Sequence, residues 1–176
     1  MPSRPYLSGQ APLDLLAAAA PAYSHIFSRP GYLNGMAEFE HRRTIPARAR
    51  TVFDVAAEEP TLNEWAPDGV EVEPEGPGTL HAWVSSGSEV YDTTGYVEAD
   101  PDRLRLEWGG TEHDYEGWLQ VEPDASTPER SVATLHLTFA GEQPETFGGE
   151  ASEQADRRVA EALDRLAALA VERAGG

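Results

Sequence analysis

The feature that most constrains this chain is its last patterned stretch, Ser152 to Ala174. Apolar residues recur there at Ala155, Val159, Ala162, Leu163, Leu166, Leu169 and Ala170, the three-and-four spacing of one α-helical face. Glu150, Glu153 and Asp156 stand at its start, where the helix dipole favours acids. Glu153 precedes Arg157 by four residues, and Glu161 precedes Arg165 by four, a spacing that supports an exposed helical face. Gly175 and Gly176 end the pattern. About 23 residues make a rod of roughly 35 Å, enough to cross a small domain. A helix with one apolar stripe must lie on another layer, so the preceding chain has to supply one.

That layer reads as an antiparallel sheet. Strands are expected near 70–74, 79–86, 88–98, 103–109, 113–122 and 131–140, separated by Pro-, Gly- and Asp-rich turns such as Ser86-Gly87 and Asp100-Pro101-Asp102. Connections this short join antiparallel neighbours. Leu104, Leu106 and Trp108 fall on one side of their strand, as do Tyr115, Gly117, Leu119 and Val121, and Leu135, Leu137 and Phe139. Polar residues fill the alternate positions, so one face packs and the other meets water. An earlier strand runs from about Glu38, with Phe39, His41, Arg43 and Ile45 on one side, and Pro46 ends it. Ala47 to Ala57 reads as a helix stopped by Pro60. Thr61-Leu62-Asn63-Glu64 has the form of a capping box opening a second short helix, with Leu62 and Trp65 inward. The order is strand, two short helices, six strands, long helix: an α+β fold in which a curved sheet carries the last helix across its concave face. A cavity is expected between them, of the ~300 Å³ or more that small-molecule sites need.

Composition limits the chemistry. With 176 residues and no cysteine, the chain needs no disulfide to hold a core, and it has no thiolate nucleophile or metal ligand. All 13 basic residues are arginine, which excludes Schiff-base and P-loop lysine chemistry. A net charge of -18 speaks against nucleic acid as a partner and against anionic membrane surfaces. No apolar run approaches a membrane span. Residues 1–35 hold five prolines and one acid, Asp14, which interrupts the apolar run around Leu13 to Ala20. A secretory leader is therefore not expected, and the location is read as cytoplasmic. Residues 1–35 are expected to be a flexible or loosely docked N-terminal extension, and 36–176 a domain that is complete without it.

The stretches Glu38-Phe39-Glu40-His41-Arg42-Arg43-Thr44-Ile45-Pro46-Ala47, Val52-Phe53-Asp54-Val55 and Leu62-Asn63-Glu64-Trp65-Ala66-Pro67-Asp68-Gly69-Val70 resemble the opening of the SRPBCC superfamily. Gly78-Thr79 and Val97-Glu98-Ala99-Asp100-Pro101-Asp102-Arg103-Leu104 resemble later turns of its polyketide cyclase/dehydrase and lipid-transport branch. The resemblance covers roughly residues 38–172. It implies a helix-grip fold, seven antiparallel strands around a C-terminal helix, as in START-like and birch-pollen-allergen-like proteins. It also implies a hydrophobic small-molecule partner that is lipid-, polyketide- or sterol-like, with a minority of members catalysing cyclisation or dehydration. His41 and Arg43 depart from the pattern, standing where the family commonly has apolar residues.

The expected ligand-binding residues are Trp83, Tyr91, Trp108 and Tyr115 on the strands and Val159, Ala162 and Leu163 on the helix. Aromatic rings with polar tips suit such a cavity. The candidates for catalysis are His113, Tyr115 and Tyr91. His113 lies among Glu107, Glu112 and Asp114, where a histidine beside carboxylates can act as a base near neutral pH. No His-Glu-x-x-His occurs among the five histidines, and neither a metal nor any other cofactor is expected. Three readings remain open: a binder of a hydrophobic small molecule, a cyclase/dehydrase using acid–base catalysis in the same cavity, and a protein-interaction module of co-chaperone type. A homodimer is also left open.

Overall fold

The computed structural model describes residues 36–86, 88–111, 115–140 and 148–176. The expected extension 1–35, together with 87, 112–114 and 141–147, lies outside the described residues.

Strand β1 (Met36–Ile45) follows from strict alternation. Ala37, Phe39 and Ile45 are buried between exposed Glu38, Glu40, Arg42 and Thr44. Helix α1 (Ala49–Ala57) buries Ala49, Val52, Phe53, Val55 and Ala56. A 3₁₀ turn, Glu59–Thr61, leads straight into the one-turn helix α2 (Leu62–Trp65), whose Leu62 and Trp65 are buried as expected. The capping box is not made, because Thr61 makes no side-chain cap bond to α2. Its hydroxyl turns back, donating to the Val55 carbonyl and to that of Glu58 at 2.9 Å, and so satisfies carbonyls left open at the end of α1.

Six strands then follow in meander: β2 (Val70–Gly76), β3 (Thr79–Ser86), β4 (Glu89–Asp100), β5 (Arg105–Gly110), β6 (Tyr115–Pro123) and β7 (Ser131–Ala140). The sheet has seven antiparallel strands in the order β1-β7-β6-β5-β4-β3-β2. The first strand therefore sits at the far edge, beside the last. β5 begins two residues later than the alternation suggests. Asp100 Oδ1 accepts the amides of Asp102 and Arg103, both at 3.0 Å, in a side-chain-closed turn, and Leu104 takes a left-handed φ of 53° before the strand resumes.

Helix α3 (Gly149–Gly175) is longer than the expected 152–174. Gly148 and Gly149 start it with φ of 78° and 69°, a conformation only glycine adopts cheaply. Buried Ala155, Val159, Ala162, Leu163, Leu166, Ala167 and Ala170 form its inner face. The helix does not run centrally across the sheet. It packs along β1 and on α1, with smaller contacts to α2 and β7. His41 and Arg43, the residues that break the apolar pattern of β1, both reach across to it. His41 Nε2 meets Asp156 Oδ1 at 2.9 Å, and Arg43 pairs with Asp164. Arg173 clamps Glu58 bidentately at 2.8 and 2.9 Å. Arg165 does not stay with Glu161 on the outer face; it reaches the Ala66 carbonyl at 2.6 Å and Asp68 at 3.3 Å.

Candidate functional site

Residues paired across an antiparallel ladder share a face, so the register defines the concave surface. One row runs Val70, Val84, Tyr91 and the next Val72, Ala82, Thr93. Further along come Val97, Trp108, Gly117, Leu137 and Phe39. Beside them run Ala99, Leu106, Leu119, Leu135 and His41. Helix α3 covers the β1–β7 side of this surface. On the β2–β4 side Val72, Ala82, Val84 and Val97 are only part-buried, and Tyr91 is 46% exposed. Among the described residues the concavity is thus filled on one side and open on the other.

A recess of about 230 Å³ lies at the end of the concavity closed by α1 and α2. Leu62, Leu80, Val97, Ala99 and Leu106 form its apolar walls, and the Gly76–Gly78 turn borders it. It is smaller than the expected ~300 Å³, and no residue of α3 lines it.

Trp108 and Tyr115 meet on the same concave face, outside the lining of the recess. The Trp108 Nε1–H donates to the Tyr115 hydroxyl at 2.9 Å. The indole lies over Gly117, where a Cβ would come within 2.6 Å of the ring, so a residue without a side chain makes its seat. Trp65 packs edge-on against Trp108 at 6.1 Å between ring centroids. Tyr115 lies 5.3 Å from Phe139, which meets Phe39 at 5.9 Å. Burial pushes the Tyr115 phenol up to about 12, against a smaller lowering from the Trp108 hydrogen bond. At neutral pH it therefore stays protonated. Its lone pair is taken by Trp108, and among the described residues its own proton has no acceptor. This is a fixed hydrogen-bond donor in apolar surroundings.

Of the residues singled out from sequence, the structure brings Trp108 and Tyr115 together. Tyr91 stands on the same concave face at its open end. Trp83 does not: its register partners are Glu71 and Asp92, and its ring lies 4.4 Å from His81 on the convex face. The apolar alternation of Leu80, Ala82 and Val84 was the sequence signal for this; aromatic character alone pointed the wrong way. His113, Glu112 and Asp114 lie outside the described residues. Glu107 is on the convex face, paired with Arg105. Val159, Ala162 and Leu163 are 0%, 0% and 2% exposed. They pack into the core under α3, and none borders the recess. Among the described residues no group of three or more His, Asp or Glu is placed to hold a metal ion, and no helix is long and apolar enough to cross a membrane.

An open antiparallel sheet gripping a long C-terminal helix, with two short helices after the first strand, defines the helix-grip class. The family model described as polyketide cyclase / dehydrase and lipid transport matches residues 36–171, and the chain belongs to that family. No curated protein matches its sequence. Among solved structures, TTHA0849 from Thermus thermophilus is similar at 22% identity and a TM-score of 0.62, over 77% of this chain and 98% of that one. The Zhui aromatase/cyclase from Streptomyces sp. R1128 is similar at 22% identity and a TM-score of 0.58, over 78% and 95%. The di-domain ARO/CYC StfQ from the steffimycin biosynthetic pathway is similar at 20% identity and a TM-score of 0.55, over 75% of this chain and 44% of its own. At these identities the likeness is one of fold.

Proposed function

We propose that residues 36–176 form a domain that binds a hydrophobic small molecule on the open half of the concave face, with the Tyr115 hydroxyl donating to an acceptor on the ligand. The observation that carries this is the part-buried apolar face of β2–β4, which no described helix covers, in a family of lipid- and polyketide-handling proteins. Exposed apolar surface of this kind, next to an unspent donor, is costly unless something occupies it. The small recess suits one end of a ligand whose remainder lies along Val72, Ala82 and Val84.

The test is fluorescence titration with N-phenyl-1-naphthylamine, a neutral apolar probe, followed by displacement with a hydroxylated anthraquinone. Binding of both is expected. Tyr115→Phe should weaken the quinone about tenfold, the worth of one good hydrogen bond in a dry site, and leave the probe unchanged. A folded protein that takes up neither compound overturns the reading.

A second reading, a cyclase/dehydrase acting by acid–base catalysis, is favoured by the family model and by the aromatase/cyclase neighbours. Tyr115 would serve as the acid, with His113 or Tyr91 as partner. Conversion of a poly-β-keto thioester to an aromatic product, followed by absorbance and lost in Tyr115→Phe, is the expected result. Unchanged substrate after prolonged incubation leaves binding alone.

A further inference from the structure

Arginines in this protein are scarce and mostly spoken for. Against 31 acids, Arg43, Arg48, Arg50, Arg103, Arg105, Arg130, Arg165 and Arg173 each have a carboxylate partner. Arg42, Arg157 and Arg158 have no such partner among the described residues, and of these three only Arg158 is not exposed. It is part-buried on α3, yet among the described residues it makes neither an ion pair nor a hydrogen bond. Its guanidinium reaches away from the helix. Nη1 stands 3.7 Å from where a Cβ on Gly69 would be. Gly69 lies in the turn between α2 and β2, and its carbonyl accepts the Ser85 amide at 2.7 Å. Arg158 therefore spans from α3 to the joined ends of β2 and β3.

The nearest acid of that turn is not available to it. Asp68 is held by Arg165, two helical turns further along α3. Next to Gly69 and Ser85, the register places the concave row Val70, Val84, Tyr91. This is the open half of the concavity, at the end away from the recess. A part-buried cation with no counter-ion among the described residues, at one end of an apolar trough, is matched by a ligand that brings the counter-ion itself. A planar guanidinium fits a carboxylate with two parallel hydrogen bonds. The net charge of -18 repels free anions at long range, so an acidic ligand needs a local cation to be held at all; a neutral one does not.

We propose that Arg158 is the head-group anchor of the site, and that its ligand is an amphipathic carboxylic acid, apolar body on Val72, Ala82 and Val84, carboxylate at the Arg158 guanidinium. This rests on the binding reading above and narrows it. The test uses two probes that differ only at the head, 1-pyrenebutanoic acid and 1-pyrenebutanol, titrated at pH 7 into the full chain and into Arg158→Gln and Arg157→Gln. Arg157 is the exposed neighbour and controls for loss of one positive charge. The native chain should hold the acid about tenfold more tightly than the alcohol. Arg158→Gln should abolish that gap with alcohol binding unchanged, and Arg157→Gln should preserve it. Unfolding midpoints of all three proteins should agree. Equal binding of acid and alcohol by the native chain, or a gap that survives Arg158→Gln, overturns the anchor while leaving the apolar site standing. Failure of both probes to bind overturns the anchor and the binding reading together.

Discussion

Gly117 shows how a missing side chain can define a site. Its Cβ position is claimed by Leu137 at 2.5 Å and by the Trp108 ring at 2.6 Å. Gly117→Ala should cost about 1–3 kcal/mol through overpacking and should shift the Trp108 fluorescence. Urea denaturation and the emission maximum check both. The sequence placed Gly117 in an apolar alternation, but alternation has no way to say that a glycine is a seat. Glu40 belongs to the same scale on the opposite face. His136 donates to it at 3.1 Å, and this hydrogen bond holds the Glu40 carboxyl below its ordinary value of 4.5. A depressed carboxyl stabilises the fold above that ordinary value, and the contribution is lost as pH falls toward the folded pKa. Native protein should therefore lose more stability between pH 6 and pH 3.5 than Glu40→Gln does, measured by urea midpoints at the two values. Equal losses would mean the pair is neutral to folding.

Among the elements, α3 was the most legible and the most misleading. Its 3–4 spacing gave its length within three residues at the start and one at the end. Its buried stripe could not say which partner it meets. An apolar position looks the same whether it faces a ligand or a strand. The structure sets that stripe against β1 and α1, with His41 and Arg43 of β1 reaching Asp156 and Asp164 beside it. Val159 is consequently a core residue. Val159→Trp should destabilise the protein by roughly 3 kcal/mol or more through overpacking. Val84→Trp, on the open strand pair, should leave the unfolding midpoint nearly unchanged and block uptake of N-phenyl-1-naphthylamine. If Val84→Trp binds the probe normally, the ligand surface lies elsewhere. Strand order was only partly legible. Short turns gave the β2–β7 meander, but pairing of β1 with β7 spans most of the chain and has no local signature; the family resemblance implied seven antiparallel strands without their order.

For the molecule as a whole, a charge of -18 makes compaction work against self-repulsion. Raising NaCl from 10 mM to 0.5 M shortens the screening length several-fold and should raise the melting temperature by several degrees, read by circular dichroism. An unchanged or lower melting temperature would mean that exposed pairs such as Arg48–Glu129, weakened by the same salt, outweigh the repulsion.

The edge position of β1 also bears on how the chain finds its shape. β2 to β7 can zip hairpin by hairpin as they are made, each strand joining its immediate predecessor. β1 precedes the other described strands in the chain, yet its partner β7 follows all of them, and α3, which locks onto it, comes later still. Such long-range pairing carries a loop-closure cost that slows folding. Folding of this sheet should therefore end with the docking of β1, and an emerging chain has to keep Phe39 and Ile45 from other company until α3 exists.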